Sequence, residues 1–168
     1  MTQNQEQQVT MTMQWNSPIS EVLSNPLYAR FLAPPKLEST PIVSIAEQDG
    51  EKGVRLCVGD IDIFIEAHDL DDGKEYEWPD AMKRLKKVGK KTFNKHQSYL
   101  IAAFKYEINE KMREIGGKEL NCAYWSSTEL NSYSAWNVNF SNGDIDYYLK
   151  TGAFTVRPVA AFKKKLRN

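Results

Sequence analysis

The chain has 168 residues, 41% of them hydrophobic and 11% aromatic, enough for one hydrophobic core and a short appendage. Its 22 Lys and Arg balance its 22 Asp and Glu, so no net field steers it to nucleic acid or anionic lipid. No run approaches the roughly 20 apolar residues of a membrane-spanning helix, and no basic residue followed by an apolar stretch opens the chain, so neither membrane insertion nor a signal peptide is expected.

In chain order, residues 1–14 are rich in Gln and Thr with scattered Met and read as a flexible arm. Ser17 is placed to cap a short helix, with Pro18 at its first position, Ile19, Val22 and Leu23 on its apolar side, and Asn25-Pro26 as its stop. Leu27, Tyr28, Phe31 and Leu32 make an apolar patch closed by Ala33-Pro34-Pro35, an extended connector. The arm, residues 1–36, is expected to pack on its own domain or to dock elsewhere, on another subunit to make a homo-oligomer or on a particle. Residues 37–168 form the domain.

Alternation in Ile42-Val43-Ser44-Ile45 predicts a strand, and Gly50–Gly53 a turn. Val54–Val58 and Asp60–Ala67 have the β-branched content and period of two that mark strands, joined at Gly59-Asp60. His68–Gly73 is acidic, but Gly73 stands fifth from Asp69 rather than sixth and the calcium-loop spacing fails, so a plain acidic turn is expected. Cys57 and Cys122 match no metal-ligand or redox spacing and read as buried, reduced small hydrophobes.

Pro79 opens a helix with Trp78, Ala81, Met82 and Leu85 on one side and the basic run from Lys83 in solvent, ended by Gly89. Asn94 with Gln97 is a capping box for a second helix. Its stripe of Ile101, Phe104, Ile108, Met112 and Ile115 predicts about five unbroken turns to Gly116-Gly117. Strands early and late with helices between argue α+β.

The last third carries Trp136, Val138 and Phe140 at every second position, a strand with those side chains inward. Ser141-Asn142-Gly143-Asp144 supplies a hairpin turn through the positive backbone angles of Asn-Gly. A return strand through Ile145, Tyr147 and Leu149 follows, and a third from Phe154 to Phe162. Asn131, Ser132, Tyr133, Ser134, Asn137, Asn139, Asp144, Asp146, Tyr147, Tyr148, Thr151 and Phe154 remain as candidate ligand-binding residues. Tyrosines among small polar residues are the chemistry of a binding paratope. Trp125, Trp136 and Arg157 are the candidate scaffold; Arg157 is expected to be buried, with its guanidinium on backbone carbonyls or a carboxylate such as Glu129.

Trp78-Pro79-Asp80-Ala81, the helix ending Ile115-Gly116-Gly117, Tyr124-Trp125-Ser126-Ser127-Thr128-Glu129, Ala135–Gly143 with Lys150, and Val156-Arg157-Pro158-Val159 resemble a bacterial family of C-type-lectin-like fold. The family is named for the C-terminal domain of Legionella collagen-like proteins and is abundant in gut Bacteroides-type bacteria. The resemblance implies small antiparallel sheets, two helices and a long irregular C-terminal strand-loop region. Some relatives are variable proteins of diversity-generating retroelements, including a phage tropism determinant. By that likeness residues 131–134, 137, 139, 144–149 and 151–154 would be variable, and Trp136, Gly143, Lys150, Arg157 and Pro158 fixed.

The implied function is non-enzymatic recognition of a protein or glycan receptor, in the cytoplasm or on a phage particle. Lectin calcium ligands of the Glu-Pro-Asn and Trp-Asn-Asp type are missing, since Trp136-Asn137 is followed by Val138; no metal, cofactor or nucleic acid is expected. Two alternatives stand beside it. One is an enzyme of the formylglycine-generating type, which shares the fold and works through cysteines. The other is a structural assembly protein acting through its N-terminal arm.

Overall fold

Asp49 and Gly50 both take positive φ, 54° and 83°, as a two-residue hairpin turn requires. In the computed structural model, which describes residues 40–163, β1 (Ile42–Gln48) therefore folds straight back on β2 (Glu51–Val58). The turn is Asp49-Gly50 rather than the longer Gly50–Gly53 stretch, and Gly53 lies inside β2. A methyl group on Gly53 would collide with the Ile65 carbonyl oxygen and stand 2.7 Å from the Phe64 ring, so only glycine allows β2 to lie this close to β3 (Ile61–Glu66). The arm 1–36, its expected helix and the residues after Lys163 lie outside the described residues.

Val54, Leu56, Ile63 and Ile65 alternate onto one face of this meander and are almost completely buried. The sheet is completed by two late pieces, in the antiparallel order β1-β2-β3-β10-β5, with β10 at Pro158–Ala161 and β5 at Lys91–Thr92. Gln48 joins non-adjacent strands: its Nε2 donates to the Ala161 carbonyl (3.1 Å) and its Oε1 accepts from the Lys163 N–H (2.7 Å).

Helix α1 (Trp78–Lys87) carries Pro79 in its first turn and buries Ala81 and Leu85. The capping box forms as the spacing dictates: Asn94 accepts from the Gln97 N–H and Gln97 from that of Asn94, both at 2.9 Å. The long helix it opens is interrupted at Phe104, where φ and ψ of −108° and 19° end α2 (Lys95–Ala103) before α3 (Lys105–Glu114) begins. The apolar stripe survives the break, because Ile101, Ile108 and Met112 are all fully buried under the five-stranded sheet. Thus the described residues hold three α-helices instead of two. At the end of α3, Gly116 takes φ 69° while Gly117 donates to Met112 and Gly116 to Arg113, the paired bonds of a Schellman stop.

β6 (Ala123–Glu129), β7 (Ser134–Asn139) and β8 (Asp144–Leu149) form a separate antiparallel sheet, and β4 (Tyr76–Glu77) pairs with β9 (Ala153–Phe154). The expected strand Phe154–Phe162 is therefore split at Thr155–Arg157 between two sheets. The hairpin between β7 and β8 has one residue at positive φ, Gly143, and not Asn142 as well.

Tyr124 and Trp125 point to opposite sides of β6 and both are fully buried. Tyr124 joins Val138, Phe140 and the main core, whereas Trp125 joins a second core of Leu70, Ala81, Leu85, Ala135 and Val156. The chain is thus an α+β protein with small antiparallel sheets, and β6 is the wall between its two cores. Replacing Gly53 with Ala is expected to cost about 1–3 kcal/mol of stability through overpacking, measured by urea unfolding, while leaving far-UV circular dichroism unchanged.

Candidate recognition surface

A buried cation fixes the chain on either side of the surface. Arg157 is fully buried just before β10 and all three of its nitrogens are engaged. Nε donates to Asp69 Oδ1 (2.7 Å), Nη1 to the Glu66 carbonyl (2.9 Å) and Nη2 to the Lys118 carbonyl (2.9 Å). The carboxylate is Asp69 and not Glu129. Asp69, expected in a plain acidic turn, is itself buried, and its second oxygen pairs with Lys118 Nζ at 2.6 Å. Next to this cluster, burial pushes the Tyr124 phenol well above its usual range and keeps it neutral.

Glu129 instead pairs with Lys150. Lys150 is the second clamp: its Nζ also donates to the Ser132 carbonyl (3.2 Å) and lies 4.8 Å over the Trp78 ring, while its N–H donates to the Tyr133 carbonyl (2.9 Å). One residue thereby ties the 130–133 loop, the end of β8 and the start of α1. Two indoles complete the frame, Trp125 Nε1 donating to the Tyr76 carbonyl (2.8 Å) and Trp78 Nε1 to the Ser126 carbonyl (2.9 Å).

The candidate ligand-binding residues divide among four environments. Register puts Asn137 beside Asp146, Asn139 beside Asp144 and Ala135 beside Tyr148 on one face of β7 and β8. Tyr147 lies on the opposite face, paired with Trp136, their rings edge-to-face at 5.9 Å. Asn131, Ser132, Tyr133 and Thr151 sit in the flanking loops and are exposed. Ser134 and Phe154 are not open contact residues: Ser134 is buried, and Phe154 packs between Trp125 and Tyr148. Tyr133 is 77% exposed, and Tyr147 and Tyr148 are each 53% exposed.

One strand residue departs from its expected place. Trp136 is half-buried rather than part of the core, and the Lys95 ammonium lies 3.3 Å over its ring. Tyr147, a candidate contact residue, and Leu149 after it are exposed, because nothing among the described elements extends the core beyond Ile145 on that side of β8. Among the polar candidates, Asn131 Oδ1 accepts from the Tyr133 and Ser134 N–H groups and Asn139 Oδ1 from Ser141 N–H and Oγ. Part of their bonding capacity therefore shapes the loops.

No protein-family model matches the chain. No curated protein matches it either.

Neither cysteine is in a disulfide and both are half-buried. Cys57 alternates with the inward Leu56 and lies on the outer face of β2, whereas Cys122 packs against the main core with Sγ 3.2 Å from Thr155 Oγ1. Among the described residues no three His, Cys, Asp or Glu gather as metal ligands would. No helix among them is long and apolar enough to cross a membrane.

Asp69 and Lys150 are the functional-frame residues that sequence reasoning missed as partners. Asp69 carried one signal, an acid in the loop that follows β3, whose Ile63, Phe64 and Ile65 are buried. Nothing local, however, links it to an arginine 88 residues away. Replacing Asp69 with Ala leaves Arg157 buried without its counter-charge and is expected to cost about 3–5 kcal/mol, read from urea unfolding; a loss below about 1 kcal/mol would remove the pair from the frame.

A second ion pair lies at the surface. Arg84 chelates the exposed Asp71 with bonds of 2.5 and 2.7 Å, Tyr76 donates to it as well, and together they hold its carboxyl well below the usual carboxylate range. A depressed folded-state value gives stabilisation that is complete above the unfolded value of about 3.9 and is lost as the pH falls through the folded one. Asp71→Asn is therefore expected to flatten the acid limb of the stability curve below about pH 5, measured by thermal melts across pH.

Proposed function

We propose that this chain is a non-enzymatic recognition module of C-type-lectin-like fold that presents the 131–154 surface to a protein or glycan receptor. The carrying observation is the contrast between frame and surface. Trp125 and Arg157 are fully buried, and Lys150 is nearly so, while the three tyrosines at 133, 147 and 148 beside them stand in solvent. Holding such rings still before binding lowers the ordering cost of forming an interface. A phage- or prophage-derived origin, with residues of this surface diversified by a retroelement, is consistent with Tyr, Asn and Ser at exposed positions and Trp125, Lys150 and Arg157 in the frame.

The alternative of catalysis by paired thiols draws no support, since Cys57 and Cys122 lie on different sides of β2. Assembly through the N-terminal arm concerns residues outside those described. A glycan array and a bacterial cell-surface binding assay test the recognition proposal. The Tyr133→Ala, Asn137→Ala, Tyr148→Ala triple variant is expected to lose about tenfold or more in affinity for any ligand found, with its melting temperature nearly unchanged. Unaltered binding would overturn the proposal.

A further inference from the structure

β8 ends its sheet. It pairs with β7, and among the described residues no strand lies on its other side. The Gly143 N–H donates to Asn139 and the Lys150 N–H to Tyr133; with the pairing of Asp144, Asp146 and Tyr148 opposite Asn139, Asn137 and Ala135, this turns the even-numbered peptide groups of β8 towards β7. The groups of Ile145, Tyr147 and Leu149 then face outward.

Such an edge is a template for another chain unless it is blunted. Lysine, proline and a bulge are the usual means, and the sequence Asp144-Ile145-Asp146-Tyr147-Tyr148-Leu149 has neither lysine nor proline and keeps unbroken register with β7. Two local bonds cover the edge instead. The Asp146 carboxylate accepts from the outward Tyr147 N–H (2.7 Å), and the Leu149 carbonyl accepts from Gly152 (2.8 Å).

The side chains along the edge are sorted by face. Ile145, Tyr147 and Leu149 form an apolar row backed by Trp136, with Leu149 58% exposed. Asp144, Asp146 and Tyr148 form the other row, which carries two negative charges and no positive one. A second copy paired antiparallel here would bring acidic row against acidic row, which opposes self-association.

We propose that β8 accepts an extended peptide segment by antiparallel strand addition, and that this segment alternates basic and apolar residues. Its apolar side chains lie along Ile145, Tyr147 and Leu149, and its Lys or Arg residues lie against Asp144 and Asp146. The charge contact and the main-chain contact are coupled, because a cation that takes the Asp146 carboxylate releases the Tyr147 N–H to the incoming strand. Main-chain bonds supply affinity and the alternation supplies specificity. The inference rests on the recognition proposal, with the partner narrowed to a protein.

The test uses the full chain and a capped heptapeptide alternating lysine and valine, followed by fluorescence polarisation at low and high salt. Expected results are binding that weakens with salt, about tenfold weaker binding of the glutamate–valine counterpart, and loss of binding when the peptide's strand-facing amides are N-methylated. Asp146→Lys is expected to weaken the lysine–valine peptide by a similar factor.

Equal binding of the N-methylated peptide, or of a block-ordered peptide of the same composition, would overturn strand addition. So would an Asp146→Lys variant that binds unchanged. A doubled mass in sedimentation that Tyr147→Lys abolishes would assign the edge to a second copy and overturn the peptide. If the heptapeptide fails while the Tyr133, Asn137, Tyr148 variant still loses a ligand from the array, recognition stands and strand addition falls.

Discussion

The pairing of Arg157 with Asp69 is the constraint on which the rest of the fold depends. An unpaired guanidinium in a site with no solvent contact would be prohibitive. Burial is tolerated because the Asp69 carboxylate and the carbonyls of Glu66, Ala67 and Lys118 all converge on it. Those partners come from the end of β3, the loop that follows it and the segment after α3. Satisfying one side chain therefore fixes where three distant stretches of chain meet, and the start of β10 is held where it can close the five-stranded sheet between β3 and β5.

From that point the two cores are separated by a single strand. β6 buries Tyr124 on one side and Trp125 on the other, so it cannot tilt or slip in register without exposing a large aromatic side chain to one core or the other. β7 inherits this position through its pairing with β6, and β8 inherits it through β7. Burial falls off along the series: β6 is walled on both faces, β7 buries Ala135 and Val138, and β8 keeps only Ile145 against the core. Among the described residues β8 is thus the most exposed strand of its sheet, and it is held in place by its neighbour and by Lys150 at its end.

Two asparagines of this region shape its loops. Asn131 and Asn139 use their carbonyl oxygens to turn the backbone, leaving their amide groups with less to do there. Polar residues in a tyrosine-rich segment need not all be contact residues, and the same composition describes a turn and a binding loop equally well. Exposure and register, which composition does not carry, separate the two.

Local signals were legible in the sequence wherever the physics is local. The capping box at Asn94 and Gln97, the glycine stop after Ile115, the meander of β2 and β3 and the hairpin after Phe140 all depend on residues within a few positions of one another. From the sequence, Arg157 is expected to be at least partly buried, as a scaffold residue satisfied by carbonyls or a carboxylate. Tertiary structure decided its partner, the break of the long helix at Phe104 and the two-sided burial of β6. Each depends on contacts between residues far apart in the chain: Asp69 reaching Arg157, a helix stripe fitting under the five-stranded sheet, and a second core closing over Trp125. A period of two can say that side chains alternate; it cannot say whether the second face meets water or another core.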